Sequence, residues 1–98
     1  MSTIFKKILD KEIASDIIYE NDKILCFKDI NCVAPIHILI IPKKEIATVN
    51  DISDSDKNLI GEMFIGAKHI AKKLNIYDDG YRLVVNCNKD GGQTVFHL

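Results

Sequence analysis

The sequence predicts an α+β fold: an antiparallel five-stranded sheet, one long helix across one face, and a short N-terminal helix. Three observations carry this. Apolar residues between Leu59 and Leu74 recur at a helical period. Before them lie short β-type runs separated by turn residues, and after them come two more runs joined by a glycine pair. The order is then α-β-β-β-α-β-β, with connections short enough for antiparallel neighbours.

From the N-terminus, "TIFKKILDKE" sets Ile4, Phe5, Ile8 and Leu9 at helical spacing, predicting a short amphipathic helix. "DIIYENDKILCFKDI" reads as two strands around Asn21-Asp22, a pair tolerant of the positive φ of a tight hairpin. Pro35 opens the next element and Pro42 closes it, so "IHILII", Ile36 to Ile41, is a buried strand. Ser53 stands three residues before Asp56 in the pattern of a capping box. Beyond it Leu59, Ile60, Met63, Phe64, Ala67, Ile70, Ala71 and Leu74 define the apolar face of a helix over about residues 54–74. Lys68, Lys72 and Lys73 near its end suit the helix dipole. "YRLVVN" and "QTVFHL" are strands joined by "CNKDGG". Alternation along the second puts Gln93, Val95 and His97 on one face, with Phe96 and Leu98 directed to the core.

Ninety-eight residues, 47% of them apolar and 28% charged, make one small globular domain. Thirteen basic and fourteen acidic residues give a net charge of −1 with no long run of either sign. That argues against a broad electrostatic surface for nucleic acid or membrane, and any phosphate would be held locally. No apolar run approaches the roughly 18 residues of a membrane span, and the N-terminus lacks a signal-peptide stretch. Cys26, Cys32 and Cys87 are an odd count without a Cys-x-x-Cys pair, which reads as reduced thiols in a cytoplasmic protein and not as a zinc site.

Taken singly, the polar candidates have ordinary explanations. "DGG" is common in hairpin turns, although its amides could also approach an anion closely. Asn86 and Asp29 suit strand ends, where their side chains satisfy loop backbone. His37 sits in an apolar strand, where a hydrogen-bonded core histidine is the default. His69 falls off the apolar stripe of the long helix and reads as solvated.

Together the motifs are far more specific. "FKDI", "APIHILIIPK", "YRLVVN" and "DGGQTVFHL", in this order and at these separations, resemble the histidine triad (HIT) superfamily in its nucleotide-binding protein branch. The resemblance runs from Ile4 to Leu98. It implies a HIT-like fold, binding of purine nucleoside monophosphates of the AMP or GMP type, and hydrolysis of nucleoside phosphoramidates. By that likeness the middle triad histidine attacks the α-phosphorus, and water later releases the monophosphate from the nucleotidyl-histidine. Asp29 would accept both ribose hydroxyls. Ile30, with Phe5 and Ile8 as further candidates, would line the base pocket. Asn86 would serve the phosphate or ribose side, and Gly92, Gln93 and Thr94 the phosphate loop. His97 matches the first triad histidine, and His37 a histidine near the triad. The resemblance also implies a homodimer with continuous sheets and facing long helices, and it calls for no cofactor.

Two departures accompany this likeness. The triad pattern requires histidines two and four residues beyond His97, and the sequence ends at Leu98. The expectation is a single domain over residues 1–98, incomplete at its C-terminus, with no phosphoramidase activity in the absence of the nucleophile. A non-catalytic nucleotide-binding module and a dimeric interaction scaffold are the alternatives. Some bacterial members carry half of a zinc site near the N-terminus, where Thr3 and Lys6 stand here, so no structural metal is expected.

Overall fold

The computed structural model describes residues 3–10, 16–29 and 35–98. Helix α1 spans Ile4–Leu9, and Thr3 caps it by accepting from the Lys6 amide at 3.2 Å. Strands β1 (Ile17–Glu20), β2 (Ile24–Lys28) and β3 (Ile38–Pro42) form an antiparallel sheet in the order β1-β2-β3. Helix α2 spans Lys57–Lys73, and a single 3₁₀ turn, Asp54–Asp56, leads into it.

The β1–β2 hairpin closes differently from the sequence expectation. Neither Asn21 nor Asp22 has a positive φ. Instead the Asn21 side-chain oxygen accepts from the Lys23 and Ile24 amides at 2.8 and 2.9 Å, so the side chain completes the turn. A register shift between Ile17 and Tyr19 bulges the strand at Ile18, which packs with the residues facing α2.

Each face of the sheet has its own core, as strand alternation requires. Ile24 and Cys26, with Ile38 and Ile40, meet Leu59, Met63, Ile70 and Leu74 of α2 and the residue following it. Leu25, Phe27, Leu39 and Ile41 point the other way and pack against Phe5 and Ile8 of α1. Gly66 lets α2 come close, since a Cβ there would lie 2.8 Å from Ile24 Cδ1. Phe64, assigned by periodicity to the apolar face of α2, is exposed, as is Ile65 beside it. The predicted capping box is present: the Ser53 amide donates to Asp56 Oδ2 at 3.0 Å.

The sheet has three strands among the described residues, not five. Neither Tyr81–Asn86 nor Gln93–Leu98 enters a ladder. Leu83, Val84 and Val85 are exposed, and among the described residues no backbone hydrogen bond joins 81–86 to another segment. The reason is physical: β-propensity describes fit to a paired surface, and a run without a partner gains nothing from being extended. The intended partner, 93–98, bends at Val95-Phe96 and runs toward the end of β3. No described helix is long and apolar enough to cross a membrane.

Candidate functional site

The parity of β2 and β3 decides which face carries the candidate residues. Phe27 and Leu39 are cross-strand partners on the α1 side. Asp29 and His37 extend the same two columns by one row, because the Asp29 amide donates to the His37 carbonyl at 3.0 Å, one rung past Lys28 and Ile38. Their side chains meet across the strands, with His37 Nδ1 3.4 Å from Asp29 Oδ2. Both are partly withdrawn from water, at 29% exposure for the imidazole and 18% for the carboxylate.

His97 reaches the other end of this face. It is 4% exposed, and its Nε2 lies 2.7 Å from the Pro42 carbonyl oxygen. A carbonyl only accepts, so Nε2 carries the proton and donates. The ring stands edge-on to Phe5, with centroids 6.1 Å apart, and Phe5 stands edge-on to Phe27 at 5.8 Å. Alternation along an ideal strand placed Phe96 in the core and His97 outside it. The structure reverses both, because the bend before His97 breaks the alternation: Phe96 is exposed and His97 buried. From His37 to Pro42 the strand covers roughly 16 Å. The two imidazoles therefore share a face and bracket it, with Phe27 and Phe5 between.

The remaining candidates are distributed around this axis. Ile8 is buried in the core, Phe5 is half-buried, and Ile30 lies outside the described residues. Asn86 and Thr94 are exposed. Gly92 has φ +76°, and Gly91 has no room for a side chain because a Cβ would come within 2.6 Å of the Cys87 carbonyl oxygen. The Gly92 and Gln93 amides close the turn onto Lys89 and Asn88 carbonyls at 3.0 Å each. The Gln93 side chain binds this turn to the body of the protein. Its oxygen accepts from the Asn88 amide at 2.8 Å, and its nitrogen donates to the Ala47 and Val95 carbonyls at 2.7 and 3.0 Å. Sequence reasoning missed Phe27, whose apolar surroundings gave no sign that its ring meets Phe5, the ring that His97 stands against.

Two surface cavities lie away from these residues. One, of about 360 Å³, is lined by Lys72, Asn75, Tyr77 and Asp78. The other, of about 370 Å³, sits where the β1–β2 turn meets the start of α2, and includes Lys23, Lys43, Lys44 and Asp56. Neither includes Asp29, His37, Asn86 or His97. Among the described residues, no three His, Cys, Asp or Glu side chains are grouped as a metal ion would need.

The HIT domain family matches residues 10–98. The chain belongs to the HIT family. It is 49% identical over 96 residues to the purine nucleoside phosphoramidase of Escherichia coli K12, a match covering 98% of this chain and 81% of that protein. Among solved structures, a HIT family hydrolase from Legionella pneumophila superposes with a TM-score of 0.95 at 46% identity, over 98% of this chain and 86% of the other. A histidine triad protein from Clostridium difficile superposes at 0.96 and 42% identity, over 100% of this chain and 85% of its own.

Proposed function

We propose that this HIT protein binds purine nucleoside monophosphates of the AMP or GMP type and belongs to the family's phosphoramidate hydrolases. The observation that supports it best is the Asp29 carboxylate at the end of β2, partly shielded and on the same sheet face as His97. A carboxylate there is suited to accept the two vicinal hydroxyls of a ribose, since its oxygens together offer about four acceptor positions. Identity of 49% to a purine nucleoside phosphoramidase supports the same substrate class.

Hydrolysis through a nucleotidyl-histidine needs an imidazole nitrogen whose lone pair faces phosphorus. The P–N bond to the enzyme forms as the bond to the amine breaks, and the amine leaves with a proton. His97 Nε2 is committed as a donor to the Pro42 carbonyl, a positioning role and not that of a nucleophile. Attack therefore requires an imidazole lone pair other than that of His97 Nε2 to face phosphorus. A homodimer formed through α2 belongs to the same reading, supported by Phe64 and Ile65, which are 55% and 52% exposed.

Calorimetric titration with AMP and GMP tests the binding, with Asp29→Ala as the contrasting variant. Loss of affinity in the variant is expected. Equal affinity removes the ribose assignment, and turnover of an adenosine phosphoramidate by the 98-residue polypeptide removes the assignment of His97 as a non-nucleophile.

A further inference from the structure

We infer that Gln93 is a positioning residue for the phosphate loop: its side chain fixes the turn of residues 88–93 against the segment after β3 and makes no contact with phosphate itself. The inference rests on the nucleotide reading above, in which this loop receives the phosphate. The three partners of the side chain settle its orientation. Ala47 and Val95 present carbonyls, which only accept, and Asn88 presents an amide N–H, which only donates. Both hydrogens of the Gln93 side-chain nitrogen are therefore taken, at 2.7 and 3.0 Å. Only acceptor capacity on the oxygen remains, which does not suit an anion. The turn needs such a partner, because Asn88 at φ +58° and Gly92 at φ +76° are both left-handed. Gln93 bonds Asn88 twice: its backbone amide donates to the Asn88 carbonyl at 3.0 Å, and its side-chain oxygen accepts from the Asn88 amide at 2.8 Å. This is the two-bond exchange of an antiparallel rung, with a side-chain oxygen in place of the second carbonyl. The bond to Ala47 then fastens the rung to the body of the protein. Thr94, next in the chain and exposed, takes its position from this anchor. Gln93 thus acts on phosphate only through its neighbours.

Two measurements separate this role from direct phosphate contact and from a general contribution to the fold. The first uses the wild-type protein. Nuclear Overhauser contacts from the Gln93 side-chain amide protons to Ala47 and Val95 are expected without ligand, and are expected to persist at saturating AMP. Their absence from the free protein, or their loss when AMP binds, overturns the inference. The second compares calorimetric binding of AMP and adenosine by the wild-type protein and by Gln93→Met, which keeps the length of the side chain and removes its hydrogen bonds. AMP affinity is expected to fall about tenfold, the scale of one net hydrogen bond, while adenosine affinity is unchanged. Deuterium exchange of the Asn88 amide in the ligand-free variant is expected to quicken. A loss of AMP affinity with unaltered exchange points to direct contact and overturns the positioning role. Equal loss for both ligands, or quickened exchange with full AMP affinity, overturns it as well, and the nucleotide reading then survives. Should Gln93→Met fail to fold, the wild-type contacts decide alone. If the wild-type protein binds no AMP, that reading fails and the inference fails with it.

Discussion

His97 donates its Nε2 proton to the carbonyl oxygen of Pro42 across 2.7 Å, joining the last segment of the chain to the end of β3. Two neighbouring bonds act in parallel: the Leu98 amide to the Ile46 carbonyl at 2.7 Å, and the Gln93 side chain to the Ala47 carbonyl at 2.7 Å. The segment is therefore held by discrete polar contacts to residues 42–47 and not by a ladder. His97→Ala empties a buried position and strips the Pro42 carbonyl of its donor. A loss of about 1–3 kcal/mol is expected, read from the midpoint of urea unfolding, with His97→Gln retaining more stability than His97→Ala.

The closeness of α2 to β2 gives a prediction with two signs. Alanine at position 66 gains about 1 kcal/mol of helix propensity over glycine, but its Cβ would sit 2.8 Å from Ile24 Cδ1. Ile24 is fully buried and cannot swing aside. Gly66→Ala is expected to destabilise the protein by about 1–2 kcal/mol. In an Ile24→Val background, where the offending methyl is gone, the same substitution is expected to stabilise. Paired unfolding curves check both signs.

Stability in acid is expected to depend on Asp56. The Lys44 ammonium, 2.6 Å away, and the Ser53 amide hold its carboxyl below the usual carboxylate range. A depressed folded-state value means a contribution that is complete above the unfolded carboxylate value of about 3.9 and is lost as the pH falls through the folded one. The urea midpoint should accordingly fall between pH 5 and pH 2, and Asp56→Asn should flatten part of that decline while lowering the midpoint at neutral pH.

The cysteines are expected to react unequally. Burial pushes the Cys26 thiol up to about 11, and it has no exposed surface. Cys87 is partly exposed. In a Cys32→Ser background, a disulfide exchange reagent at pH 8 should label one thiol in the native protein and two after denaturation. Mass spectrometry should assign the native label to Cys87.

Much of this architecture was legible because it depends on local pattern. The 3.6-residue period from Leu59 to Leu74 encodes its element without help from elsewhere, whereas the prolines located β3 but not its ends: the strand runs Ile38–Pro42, takes in Pro42, and leaves Ile36 exposed. "YRLVVN" was misread for the opposite reason: a strand exists only with a partner, and composition does not reveal where the partner goes. The orientation of His97 went astray with it, since alternation holds only while the chain stays extended. Asp29 and His37 were both recognisable as candidates, yet their mutual contact was not. It depends on the β2–β3 register, which pairs Lys28 with Ile38 and so brings the following residue opposite His37.

The unpaired run at 81–86 has a thermodynamic consequence. The sheet shares one buried core with α2 and the other with α1, so the amides of sheet and α2 open only with cooperative unfolding. Among the described residues, 81–86 have no ladder to break, and their amides should exchange with deuterium at nearly the rate of a free peptide. The polypeptide thus unites a protected block with a stretch whose local opening free energy is close to zero, and a single unfolding free energy describes only the first of them.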